Sequence, residues 1–170
     1  MKKIFISLVS LLVFTSCVLH VYRFTSVNYN NSRISISAGL VNSEDEKSPV
    51  EYIGVSDVRS NVNTPHKVKI LSSTIKIIDS NNKEYIAKTN SNSGYIHIYK
   101  QGVVITDDFK AYIGKVQLDD GTIIDIPPLS FKKTVYVERY SVISDTINAG
   151  GRGKEIFSGT VEDYKKQKNN

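Results

Sequence analysis

Tyr95, His97 and Tyr99 stand at i, i+2 and i+4 in the run Gly94 to Lys100. On an extended strand that spacing puts three ring-bearing side chains on one face. Such a face could bind a sugar, a peptide or an aromatic partner, and a carboxylate within reach of His97 would add a hydrolytic role. Half-buried sheet surface is the plainer account, because only contiguous exposed patches signal binding. Asp119-Asp120 and Asp107-Asp108 are the paired carboxylates. The former precedes Gly121, where Asp has a turn-forming job; the latter has no partner that spacing identifies. Gly150-Gly151-Arg152-Gly153-Lys154 superficially resembles a phosphate loop but fails the pattern. Asn148 stands where the first Gly belongs, and Glu155 follows Lys154 in place of Ser or Thr. His20, His66 and His97 show no metal-ligand spacing, and no serine lies in a nucleophile-elbow context. No catalytic residue, metal or cofactor is therefore expected.

One thiol exists in the chain, that of Cys17. Lys2 and Lys3 precede an apolar run from Ile4 to Phe14, and Val13-Phe14-Thr15-Ser16-Cys17 closes it. A charged n-region, an h-region of about 7–15 residues and small residues before a cut are the marks of a signal peptide. Together these residues resemble the leader of the bacterial membrane lipoproteins, with Phe14 departing from the leucine that the class usually carries there. The resemblance implies cleavage before Cys17 and transfer of a diacylglycerol to its sulfur, the thiolate being the nucleophile that accepts the lipid. Two or three acyl chains hold a protein on a bilayer stably, where a single chain holds it only marginally. Two other readings stay open. Ile4 to Val21 is an 18-residue stretch that could be an uncleaved anchor, although Ser7, Ser10, Thr15, Ser16 and His20 make it poor for a span of about 20 apolar residues. Cys17 could also stand by chance beside an ordinary secretory cleavage site. All three readings put the folded part outside the cytoplasm. Val18 after the cysteine, by the same resemblance, favours the outer membrane in a Gram-negative envelope.

What must position any of these groups is a β fold. From Cys17 onward there are 18 Ile and 16 Val against 5 Leu and 4 Ala, with ten Tyr and no Trp in the chain. β-branched and aromatic residues suit pleated, half-buried surfaces, whereas the strong helix formers Leu and Ala are scarce. Arg33 to Leu40 alternates cleanly, with Ile34, Ile36, Ala38 and Leu40 on one side. Further strands are expected over Val50–Val58, Lys67–Leu71, Thr74–Ile78, Glu84–Lys88, Gly94–Lys100, Val103–Ile105, Phe109–Leu118, Ile123–Ile126, Leu129–Ile143 and Glu155–Thr160. Asp79-Ser80-Asn81-Asn82-Lys83 reads as a hairpin loop, and Asp119 to Thr122 as a type I′ hairpin turn. Thr160-Val161-Glu162-Asp163 has capping-box spacing, predicting a helical turn over Val161–Lys168.

The expected architecture is all-β: a single antiparallel β-sandwich, immunoglobulin-like in outline, of roughly eight or nine short strands after a hydrophobic leader helix. A small closed barrel is the alternative. Its parts would be a signal peptide at 1–16, a lipidated tether or spacer at 17–32, the β domain at 33–160 and a polar tail at 161–170. Within the spacer, the alternation of Tyr22 and Phe24 also fits a strand. The net charge is +5, of which the leader lysines supply two, so nothing points to nucleic acid. The expected function is that of an envelope-anchored, non-enzymatic lipoprotein. Its partners would be the bilayer, through acylated Cys17, and another envelope protein. The alternative is a ligand-binding or hydrolytic domain using the Tyr95, His97 and Tyr99 face.

Overall fold

A computed structural model describes residues 16–27, 29–61, 66–90, 93–141 and 153–169. Of the expected leader helix only Ser16 falls within them, and the glycine-rich stretch from Thr146 lies outside them up to Arg152. The fold is all-β and antiparallel, as the Ile and Val content predicts. Among the described residues there are twelve strands, where eight or nine were expected. They are β1 (Ser16–Ser26), β2 (Ile34–Leu40), β3 (Val50–Asp57), β4 (Val68–Ile70), β5 (Thr74–Asp79), β6 (Glu84–Lys88), β7 (Tyr95–His97), β8 (Phe109–Tyr112), β9 (Gly114–Leu118), β10 (Ile123–Ile126), β11 (Leu129–Ser141) and β12 (Lys154–Thr160). Residues 17–26, read as spacer or as strand, are strand. Among the described residues one α-helix, α1, covers Val161–Asn169, and no helix is long and apolar enough to cross a membrane.

Two compact units divide the chain, residues 22–134 and residues 1–21 with 135–170. The main sheet has the order β6-β5-β8-β11-β1-β2-β3-β7, with β12 also on β11; a smaller sheet has the order β10-β9-β4. Eight strands bring the main sheet close to closure. At the seam, the side chain of Gln101 accepts the Lys88 N–H through Oε1 at 2.7 Å and donates through Nε2 to the carbonyls of Lys88 (3.0 Å) and His97 (2.9 Å).

Alternation accounts for the core of the 22–134 unit. Ile34, Ile36, Ala38 and Leu40 all point inward from β2, joined by Val50, Ile53 and Val55 from β3 and Ile75 and Ile77 from β5. Phe109 stacks on Phe131 at 4.7 Å and meets Phe24 edge-on at 5.2 Å, geometries that add about 0.5–1.5 kcal/mol per pair beyond area burial. One inward position on β11 is not apolar. Lys133 is buried between Phe131 and Val135, its ammonium donating to the carbonyls of Glu46, at 2.5 Å, and Thr106, and lying 5.2 Å over the Phe24 ring. Burial lowers its pKa, against an opposing pull from Asp107, Glu46, Asp108 and Asp45.

Three expected elements change. The single strand expected over Phe109–Leu118 is two, β8 in the main sheet and β9 in the small one, because Gly114 turns the chain at φ 80°. The Asp119–Thr122 turn is not type I′, which needs positive φ at both central residues. Only Gly121 has it (φ 83°). The Gly121 N–H bonds the Leu118 carbonyl and the Leu118 N–H bonds Thr122, the pattern of a three-residue loop with a bulge. The β5–β6 hairpin repeats this device with Asn82 (φ 62°) in the glycine's place. Val103–Ile105, expected as a strand, lies in no regular element, although Val103 and Ile105 are buried.

In the other unit, Thr160 caps α1. Its Oγ1 accepts the Asp163 N–H at 3.1 Å and donates to the Asp163 carboxylate at 2.6 Å, which satisfies an otherwise orphaned donor. Tyr164 on that helix meets His20 of β1, Oη to Nε2, at 2.9 Å, and Phe157 of β12 lies against the same tyrosine.

Candidate functional site

The aromatic face forms where β3 pairs with β7. The register sets Tyr52 opposite His97, Ile53 opposite Ile96 and Gly54 opposite Tyr95. Ile96 points into the core while Tyr95 and His97 point out. Their common neighbour is Tyr52, which sequence alone did not single out. Its ring meets Tyr95 edge-on at 5.4 Å and His97 at 6.1 Å. Glycines underlie two of these rings. Gly39 of β2 lies opposite Tyr52, and a Cβ there would come within 2.5 Å of the Tyr52 ring. A Cβ on Gly54 would stand 2.9 Å from the Tyr95 ring. The rings therefore lie down across the sheet instead of standing up from it, covering bare backbone as aromatic residues do over strand glycines. Tyr95 remains 47 % exposed.

Tyr99 is not on this strand. β7 ends at His97, and Tyr99–Gln101 forms one turn of 3-10 helix that leaves Tyr99 43 % exposed. The expected alternation survives as a burial pattern, Ile96 and Ile98 in and the three aromatic residues out, but the shared strand face holds Tyr95 and His97, with Tyr52 beside them. Among the described residues no carboxylate bonds the His97 ring, which meets Tyr52 instead. The surface offers stacking and Tyr hydroxyls, with no acid–base pair assembled on it.

A second constellation gathers at the end of β3. Asp57 closes that strand with its side chain wholly buried. Arg59, two residues on, donates to it from Nε (3.0 Å), from Nη2 (2.6 Å) and from its backbone N–H (2.9 Å). These bonds hold the Asp57 carboxyl down at about 2 against an opposing desolvation cost. From there Arg59 Nη2 reaches Asp119 at 3.4 Å and Asp120 at 3.5 Å in the β9–β10 turn. His66 Nδ1 lies 2.6 Å from Asp119 Oδ2, and Arg33 Nη2 lies 2.5 Å from Asp120 Oδ2. Bonds from Thr122 first, then from Arg33, keep the Asp120 carboxyl well below the usual range.

Asp57, His66 and Asp119 have ligand atoms within 4.8 Å of one another, close enough to hold a cation. Arg59 already supplies one: its guanidinium engages both oxygens of Asp57, and His66 and Asp119 are bonded directly. The arrangement is that of a latch fastening the β3 end to the β9–β10 turn. The turn role expected for Asp119-Asp120 is thus only part of their work. Asp107-Asp108 divides between a bond from the Thr106 hydroxyl to Asp107 and one from the Lys133 N–H to Asp108. Cys17, the expected acylation site, is exposed near the start of β1.

No protein-family model, no curated protein and no solved structure matches this chain.

Proposed function

We propose that the protein is an envelope lipoprotein, anchored by acyl chains on Cys17, whose β domain is a non-catalytic binding module for another envelope protein. The aromatic face is the docking surface in this reading. What supports it most directly is the Tyr52–Tyr95–His97 cluster, rings laid over Gly39 and Gly54 with one side turned to solvent. Broad, rigid aromatic area of this kind is what protein interfaces favour, since Tyr offers contact area at low conformational-entropy cost. The tether reading draws on the leader residues and on an exposed Cys17 thiol.

Two measurements test these parts separately. Metabolic labelling with radioactive palmitate should mark the wild type and leave Cys17→Ser unlabelled; label persisting in that variant refutes acylation at this residue. Pull-down from detergent-solubilised envelopes should recover a partner in stoichiometric amount with wild type and lose it with Tyr52→Ala/Tyr95→Ala. Equal recovery by both proteins would move the docking surface elsewhere, and no partner at all would defeat the binding module.

A further inference from the structure

The outward face of the main sheet carries one cation on each of five successive strands. Lys88 is on β6, Lys76 on β5, Lys110 on β8, Lys132 on β11 and Arg23 on β1. The registers align them. Lys88 lies opposite Thr74, two residues from Lys76 on the same face. Ile78, two residues beyond Lys76, lies opposite Lys110, and Lys110 lies opposite Ser130, two residues before Lys132. The Val27 N–H bonds the Ser130 carbonyl and the Thr134 hydroxyl bonds the Arg23 carbonyl, so Arg23 continues the series beyond Lys132. Each step moves one strand across and two residues along, about 8 Å, and the line spans roughly 30 Å.

Little on the face neutralises this line. Glu84 meets Lys76 at 3.4 Å, and Asp108 lies near Lys132 but already accepts the Lys133 N–H. Among the described residues neither Lys110 nor Lys132 has an ion-pair partner. The hollow of about 340 Å³ that both line also has the carboxylates of Asp79 and Asp108 in its wall, where Asp79 accepts bonds from the Asn81 and Lys83 N–H groups and from the Tyr85 hydroxyl. The backbone of β5, β8, β11 and β1 is spent on its own ladders, so a ligand lying across them meets side chains and not free strand edges.

We propose that this diagonal is a docking surface for an extended acidic polypeptide segment of the partner. About ten extended residues cover its length, and carboxylates on alternate residues repeat at about 6.6 Å, a spacing that long lysine side chains can follow. The inference deepens the protein-binding reading but uses strands of the main sheet other than the β3 and β7 that carry the Tyr52 cluster and needs no acylation of Cys17, so the two can fail separately. Like-charge removal elsewhere gives the control. Lys67, Lys69 and Lys115 are exposed on or beside the small sheet.

The test measures binding of a fluorescent poly-glutamate peptide of about ten residues, and of hyaluronate and anionic phosphatidylglycerol vesicles, at two salt concentrations. Wild type should bind the peptide more tightly than the glycan or the vesicles, and added salt should weaken it. Lys76→Ser/Lys110→Ser/Lys132→Ser should lose about tenfold or more, whereas Lys67→Ser/Lys69→Ser/Lys115→Ser should lose less than about twofold. Equal losses in the two triple variants would reduce the effect to net charge and overturn the proposal. So would tighter binding to hyaluronate or to vesicles, or no binding of the peptide; unchanged circular dichroism certifies each variant's fold.

Discussion

Replacing Asp57 by Asn removes the charge at the centre of the latch while keeping the side chain's size. The wild-type carboxylate is wholly buried and takes hydrogen bonds from three donors of Arg59, its backbone N–H, Nε and Nη2. Its pKa falls from an ordinary 3.8 to about 2, and at about 1.4 kcal/mol per pH unit this corresponds to about 2 kcal/mol of stability. Because the folded value lies below the unfolded one, the contribution is complete above about pH 5. It is lost as the pH falls from about 4 to about 2. Asp57→Asn should therefore unfold about 2 kcal/mol more easily at pH 7, with the gap to wild type closing by pH 2. Urea denaturation followed by circular dichroism at pH 7, 5, 4, 3 and 2 measures that gap. Asp120 titrates in both proteins and cancels in the comparison. A gap that stays constant across the series would refute the electrostatic account and leave only a packing defect; no gap at pH 7 would mean that desolvation cancels the pair.

The glycines of the aromatic face give a ranking. A Cβ on Gly94 would stand 2.1 Å from the Val55 carbonyl oxygen, a backbone atom, whereas one on Gly39 meets the far end of the Tyr52 ring. Gly94→Ala should cost several-fold more stability by urea denaturation than Gly39→Ala, which should instead shift the Tyr signals in near-ultraviolet circular dichroism. Lys133→Met leaves the Glu46 and Thr106 carbonyls without their donor and should lower stability by about 1–3 kcal/mol; a gain would mean that the buried ammonium costs more than its bonds return.

The fold was legible where burial alternates on one strand. Ile34 to Leu40 shows the period-2 pattern that the sheet then uses, the Gly94 to Lys100 alternation is used as strand only over Tyr95–His97, and Thr160 to Asp163 announces the cap of α1. Phe109 to Leu118 was read as one strand although its apolar residues shift from odd positions (Phe109, Ala111, Ile113) to even ones (Val116, Leu118) across Gly114, whose positive φ passes the chain between sheets. Lys133 was readable in principle. It falls on the inward side of a strand whose neighbours Phe131 and Val135 are apolar, and an inward lysine needs carbonyl or carboxylate partners. The candidate sites were less legible, since pairing across strands creates them. Tyr52 joins Tyr95 and His97 only through the β3–β7 register, and His66 meets Asp119 across 53 residues of chain. Sequence spacing carries no trace of such neighbours. Arg59, two residues from Asp57, and Thr122, two residues from Asp120, were partners that proximity could have named.

A β-protein's resistance to aggregation is decided at its sheet edges, where unpaired N–H and C=O groups invite another chain. Here the last gap between β6 and β7 is stitched by the Gln101 side chain, whose amide imitates a peptide unit toward Lys88. The stitch is a single rotatable group, not a strand. Shortening it, as in Gln101→Ala, should free the β6 and β7 edges together without touching the core, and that seam is where edge-to-edge pairing with a second copy would begin.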